Sequence, residues 1–290
     1  MKQQNNIKEG KIVKINKDLY TVLCDERVLS CYVRGKLKED KLTVGDNVLV
    51  DVNSLTIEKQ LPRKNTLIRP LVSNIDLLFI VVSTEVPVFS EYLLDKMLSL
   101  SIYNKIEPII IVTKLDKIDG NSKRKIFKTL KYYKKYFKVY KNSQIRKIVR
   151  EIKGKTIALC GQTGAGKSTL LNKIDKNLKL NTDEVSYSLG RGKHTTRLVE
   201  LMKVKGGFIA DTPGFSSLDL NIDKDELKYT FPDFCYECKY KSCNHVSEDG
   251  CEVIKAVKNG KILKSRHENY LKLLKEVRKW RLVFLFCLLC

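Results

Sequence analysis

The 290-residue sequence predicts a multidomain chain with a small N-terminal β-barrel, a central α/β domain and a helical C-terminal module. Three observations carry that expectation. Short alternating apolar runs fill the beginning, continuous apolar runs alternate with helical stretches through the middle, and a Cys/His cluster followed by Lys-rich helical sequence occupies the end.

From Gly10 to about Ile68 the runs KIVKI, YTVLC, LSCYV and NVLVDV are broken by turn signals at Lys17-Asp18 and Gly45-Asp46. Short strands at this spacing form a small barrel, and one of the oligonucleotide-binding type is expected. The segment YVRGKLK puts Arg34, Lys36 and Lys38 on one loop, which on such a barrel would face a phosphate backbone. A solvated basic loop on a stability module is the plainer reading. After RPLVSN come the continuous runs IDLLFIVVS and EPIIIVT, separated by Leu93, Leu94, Leu98 and Ile102 at helical spacing. Runs of this kind mark a parallel sheet covered on both faces. A helix over residues 122–135, then YFKVY and TIALC, continue the alternation, and LVELMKV and GFIAD complete about six strands. From residue 222 onward the sequence predicts no further strand, only helices ending near Trp280.

Lys and Arg total 55 against 33 Asp and Glu, a formal net charge of +22 spread along the whole length. Such an excess favours polyanions, nucleic acid first and an anionic membrane surface second. A Lys-rich compositional bias is the bland alternative. Of nine cysteines, Cys235, Cys238, Cys243 and Cys251 fall within seventeen residues, whereas Cys24, Cys31 and Cys160 sit in apolar runs. That is the distribution of a metal site, not of a disulfide framework. The N-terminus lacks the apolar core of a signal peptide, and no stretch reaches the ~20 apolar residues that cross a bilayer, so a reducing cytoplasm is expected. The apolar end LVFLFCLLC, residues 282–290, reads equally as a docking segment, an interfacial anchor or a non-native terminus.

Gly161-Gln162-Thr163-Gly164-Ala165-Gly166-Lys167-Ser168 matches G-x-x-x-x-G-K-[ST], between the strand TIALC and a helix that begins around Ser168-Thr169. Its glycines let successive backbone N–H groups point at phosphate oxygens, and the helix N-terminus adds a favourable dipole. Lys167 would reach the β- and γ-phosphates and Ser168 would hold Mg²⁺. Asp211-Thr212-Pro213-Gly214 follows the strand GFIA, which suits a carboxylate ordering Mg²⁺ through water and a Gly214 N–H sensing the γ-phosphate. Between the two lies LGRGKHTTRLVE, where Thr195 or Thr196 would complete the Mg²⁺ shell. Thr113-Lys114-Leu115-Asp116 also ends a strand, and Asp116 can accept two hydrogen bonds from guanine N1–H and its 2-amino group. The usual first residue of that motif is Asn, so Thr113 is a departure. YKNSQ, residues 140–144, follows the next strand as a second base-contacting loop. Phe215 stands where many GTPases have a water-positioning Gln; His194, beside the switch threonines, is the best candidate for that role and reads equally as an ordinary exposed switch residue.

In ordinary GTPases the guanine-reading segment follows the phosphate loop; here it precedes it. This rotated order resembles the RsgA (YjeQ/YloQ) family of small-subunit-dependent GTPases. The likeness extends to RGKL, RPLVSNID, GRGKHTTR, DTPGFSSL and FPDF, and covers roughly residues 10–281. It implies an OB-type β-barrel over 1–68, a central α/β circularly permuted P-loop GTPase over 69–221, and an α-helical zinc-binding domain over 222–290 with a basic C-terminal helix. It implies one structural Zn²⁺ on Cys238, Cys243, His245 and Cys251, with Cys235 outside the set, and Mg²⁺ with GTP. The implied function is a GTP hydrolase that matures the small ribosomal subunit and binds its 16S rRNA, as a monomer. Arg34, Lys36 and Lys38 with Lys261, Lys264, Arg266 and Lys272 would form the cationic footprint. The alternatives are an RNA-binding protein with a vestigial nucleotide site and a P-loop ATPase.

Overall fold

The computed structural model describes residues 6–33, 41–68, 71–180, 199–211 and 220–287. In chain order the strands are β1 (Ile7–Asn16), β2 (Leu19–Cys24), β3 (Arg27–Val33), β4 (Asn47–Asp51), β5 (Thr56–Gln60), β6 (Thr66–Ile68) and β7 (Leu71–Ser73). They continue as β8 (Leu77–Ser83), β9 (Glu107–Thr113), β10 (Lys138–Lys141), β11 (Thr156–Cys160), β12 (Glu200–Val204) and β13 (Gly207–Asp211). The helices are α1 (Glu91–Tyr103), α2 (Gly120–Tyr133), α3 (Ile145–Ile152), α4 (Lys167–Ile174), α5 (Glu252–Lys258) and α6 (Lys264–Cys287). The chain divides into two compact units, Met1–Phe79 with Asn142–Ser216 and Ile80–Lys141 with Ser217–Cys290.

In the first unit β1–β2–β3–β5–β4 form a ring that the β1–β4 pairing closes. Alternation dictates its core: Ile12, Val22, Cys31, Val48, Val50 and Ile57 point inward and are almost fully buried. The fifth strand, TIEKQ, is absent from the alternating runs because Ile57 is its only apolar residue. Backbone pairing with β3 and β4 is what makes it a strand. The Gly45-Asp46 turn sits tightly against β7. Gly45 has φ +92, and a Cβ there would lie 2.1 Å from the Ser73 carbonyl oxygen. Asp46 is fully buried and accepts from the Thr43 N–H at 2.8 Å, from Gln60 at 3.0 Å and from Arg63 Nε at 2.7 Å.

The same unit holds β11, β13 and β12 side by side, with β12 meeting β1 at the Lys14–Glu200 pair, 2.7 Å apart. β11 and β13 run parallel with Ala158 opposite Ala210. The uniformly parallel sheet is corrected at β12, which is antiparallel to β13. Only Lys205 and Gly206 separate the two strands, at φ +48 and +78. Two residues with positive φ make a tight hairpin turn and leave no room for the crossover that parallel strands need.

The second unit contains β10, β9 and β8 from Ile80 onward, in that order, with β9 and β10 parallel. Ser90 Oγ caps α1 at the Leu93 N–H, and Asp119 caps α2 at the Ser122 N–H. That cap starts α2 at Gly120, two residues ahead of the expected start. Beyond residue 220 the chain makes two 3₁₀ turns, Leu227–Thr230 and Pro232–Phe234, then α5 and α6, around a core that includes Phe231, Phe234, Tyr270 and Leu273.

Arg266 overturns part of the basic-helix expectation. It is 1% exposed, and its guanidinium donates to Asp95 of α1 and, at 2.9–3.2 Å, to Asp233. Tyr133 and Asn269 complete Asp95, and Tyr132 donates to Asp233. Burial alone would pull Arg266 down, but Asp95 and Asp233 hold it above its ordinary pKa; burial pushes Asp95 up against the pull of Arg266. The cause of the correction is helical geometry: Arg266 shares the buried face of α6 with Tyr270, Leu273 and Val277. Lys261, Lys264 and Lys272 remain exposed. Arg266→Ala leaves two buried carboxylates without their cation and should cost about 3–5 kcal/mol, read as a lower urea midpoint.

Candidate functional site

The phosphate-loop sequence stands where its motif requires. It leaves the C-terminal end of β11, a strand buried along its whole length, and runs directly into α4. Gly161, Gly164 and Gly166 take φ of +145, +77 and +92, conformations in which a side chain is strained. Gln162, Thr163 and Gly164 face outward to varying degrees, whereas the Ala165 methyl is buried. Lys167 Nζ donates to the carbonyls of Gly161 at 2.8 Å and Gln162 at 2.9 Å, so its ammonium lies across the loop. Burial lowers its pKa, opposed by the neighbouring Cys160. Ser168 and Thr169 open α4.

Asp211 is the last residue of β13, directly paired with Glu200. Because β11 and β13 are adjacent and parallel, Asp211 and the phosphate loop leave the sheet at the same edge. His194, Thr195, Thr196, Gly214 and Phe215, and also Arg34, Lys36 and Lys38, lie outside the described residues.

In the second unit Thr113 ends β9, and Lys114 to Lys117 form a turn with Leu115 and Asp116 at its centre. The Thr113 hydroxyl donates to the Val82 carbonyl at 3.2 Å, and Asp116 is exposed. The parallel pairing of β9 with β10 ends both strands at one edge, β10 at Lys141.

At the other end of the chain Cys238, Cys243, His245 and Cys251 converge, their ligand atoms all within 4.8 Å of one another. His245 Nδ1 lies 3.6, 3.4 and 3.4 Å from the sulfurs of Cys238, Cys243 and Cys251, and the Cys238 and Cys251 sulfurs are 3.9 Å apart. Tetrahedral Zn²⁺ with its usual bond lengths sets edges of about 3.6 Å for S···N and about 3.8 Å for S···S. The four residues therefore fit zinc. Burial, with Lys228 nearby, lowers the His245 pKa, which keeps the ring neutral for ligation through Nδ1. Burial pushes the Cys251 thiol up to about 12, so a cation must displace that proton. Cys235 is exposed and outside the cluster.

Sequence reasoning missed the residues that shape these loops. Glu248 accepts from the Asn244, Val246 and Ser247 N–H groups at 2.7, 2.7 and 3.0 Å. Burial alone would raise its pKa, but those backbone donors bring it down to about 2. His267 meets the His245 carbonyl at 2.7 Å. Asp76 accepts from the Thr156 N–H at 2.8 Å and fixes the start of β11. Only Glu248, an acid three residues after one ligand and three before another, carried a local signal.

A T-K-x-D turn that precedes a G-x-x-x-x-G-K-S loop in the chain, each at the carboxyl end of a parallel strand, together with a closed barrel and a Cys/His cluster, defines a circularly permuted P-loop GTPase. The sequence model of the RsgA GTPase family matches residues 60–221. The chain belongs to that family. It is 40% identical over 286 residues to the small ribosomal subunit biogenesis GTPase RsgA of Geobacillus sp. (strain WCH70), covering 93% of this chain and 98% of that protein. The protein of the same name from Enterococcus faecalis is 40% identical, with 95% and 97% covered. The crystal structure of YloQ, described as a circularly permuted GTPase, superposes with a TM-score of 0.81 at 33% identity, covering 96% of this chain and 98% of that one. YjeQ from Thermotoga maritima gives the same TM-score and identity over 93% and 98%. No helix among the described residues is long and apolar enough to cross a membrane.

Treatment with a chelator, or Cys243→Ser, should expose residues 220–260 to protease while β9 and β11 stay protected, because all four Cys/His residues lie outside the strands. Limited proteolysis with mass mapping checks this; cleavage within β9 or β11 at the same rate would show that the cluster supports more than its own module.

Proposed function

We propose that this GTPase acts in maturation of the small ribosomal subunit, binding the subunit through its 16S rRNA and turning over GTP when bound. The adjacency of the phosphate loop and the Asp211 strand end carries the catalytic part of the reading. The name shared by the relatives supports the ribosomal part.

In this reading Gly161–Thr169 wrap the phosphates, and Lys167 exchanges its two loop carbonyls for β- and γ-phosphate oxygens. Ser168, Asp211 and Thr195 or Thr196 hold Mg²⁺, which when bound neutralises charge on the bridging phosphates. Asp116 accepts from guanine N1–H and the 2-amino group, with Thr113, Lys114 and Leu115 framing it, and the Gly214 N–H reports the γ-phosphate. A phenyl ring at Phe215 cannot orient water, so unassisted turnover is slow and His194 supplies polar assistance when the subunit is bound. Cys238, Cys243, His245 and Cys251 hold one structural Zn²⁺. The functional domains are 1–68, 69–221 and 222–290; the protein works as a cytoplasmic monomer, and Arg34, Lys36, Lys38, Lys261, Lys264 and Lys272 face rRNA phosphates.

Small subunits, but not large ones, should stimulate phosphate release, and the stimulation should fade as salt rises because phosphate contacts depend on counterion release. Lys167→Ala should lower turnover by roughly a hundredfold or more, with or without subunits, since it removes the cation facing the transferring phosphoryl group. Equal stimulation by large subunits would leave an RNA-activated GTPase without the small-subunit role.

A further inference from the structure

The turn that carries Asp116 depends on a side chain from a different strand end. The Lys114 carbonyl accepts from the Lys117 N–H at 3.1 Å, the bond that closes the turn, and from Thr84 Oγ1 at 2.8 Å. Thr84 Oγ1 also lies 3.2 Å from the Thr113 carbonyl. Thr84 directly follows β8 and is 4% exposed, so water does not replace its hydroxyl. Lys114 itself has φ +58, a left-handed conformation that an L-residue adopts only under constraint. Its ammonium donates to the Val86 carbonyl, two residues beyond Thr84. At the far end Asp119 accepts from the Ser122 N–H at 2.8 Å and holds the start of α2. Asp116 is thus an exposed carboxylate on a short turn pinned on both sides.

We propose that Thr84 is a positioning residue for base specificity: its buried hydroxyl grips the carbonyls of Thr113 and Lys114 and so fixes where Asp116 meets the base. This rests on the reading of Asp116 as the guanine acceptor. Thr113 sits where Asn is usual; its hydroxyl donates to the Val82 carbonyl, and Thr84 adds a hold on the turn from the neighbouring loop. A carboxylate set at one height and angle accepts from both N1–H and the 2-amino group of guanine. A turn free to rock keeps the N1–H bond more easily than both together. Thr84 therefore acts on the difference between guanine and hypoxanthine, which offers N1–H and no 2-amino group.

The test is the ratio of GDP to IDP affinity, measured by calorimetry on the full chain. Thr84→Val keeps the shape and removes the hydroxyl; it should weaken GDP about tenfold and shrink the GDP:IDP ratio by about threefold or more, the scale of one lost hydrogen bond. Thr84→Ser should restore both. General loosening of the fold would weaken both nucleotides equally, so an unchanged ratio in Thr84→Val overturns the proposal. Should that variant not fold, Thr84→Ala is read in the same way. Asp116→Asn separates the two levels: if it removes guanine preference while Thr84→Val leaves the ratio intact, only the role of Thr84 falls. If Asp116→Asn leaves guanine preference unchanged, the base is read elsewhere and both fall.

Discussion

Parallel strands deliver their loops at one edge whatever the order in which the chain visits them, and the rest of this molecule depends on that constraint. In the first unit β11 and β13 emit the phosphate loop and Asp211 together; in the second the parallel β9 and β10 end at one edge, where the Asp116 turn leaves β9. Each pairing survives a rotated chain order because strand adjacency is fixed by backbone hydrogen bonds and not by connectivity. The rotation changes where the chain goes next. After β13 it continues into the residues that lead to the Cys/His cluster, so the strand that ends in Asp211 is the last described strand before that cluster.

That module is held to its own unit by charge rather than by apolar contact alone. A guanidinium that meets carboxylates through all three of its nitrogens can be buried, whereas an unmatched carboxylate there is costly. Arg266 meets Asp95 from α1 and Asp233 from the 3₁₀ turn, its Cζ over the Phe231 ring at 4.4 Å from the centroid. Lys96 adds a second link from α1 to Glu276 on α6. The Cys/His cluster therefore shares one compact unit with the Asp116 turn.

Much of the architecture was legible because its signals are local. Period-two alternation marks the barrel strands, continuous runs mark β8, β9 and β11, and the four metal-type residues fall within fourteen residues of sequence. What escaped depends on partners far along the chain. TIEKQ reads as polar until its neighbours supply the backbone bonds, and Arg266 reads as one more exposed cation until α1 supplies Asp95. Its spacing of four from Tyr270 and seven from Leu273 was the available clue. Thr84 has no such clue, since its acceptors lie about thirty residues away on another strand end.

The two units are interleaved along the chain, and this bears on how the molecule is made. The first needs residues up to 216 and the second needs both 80–141 and the final helix. Asp95 waits 171 residues for Arg266, and Tyr92 waits 184 for Glu276. During synthesis from the N-terminus only the barrel can close early, while α1 emerges with a carboxylate on its buried face and no cation to meet it. The ribosome that makes this chain must release nearly all of it before the second unit can assemble, so truncation near the end forfeits far more than the last helix.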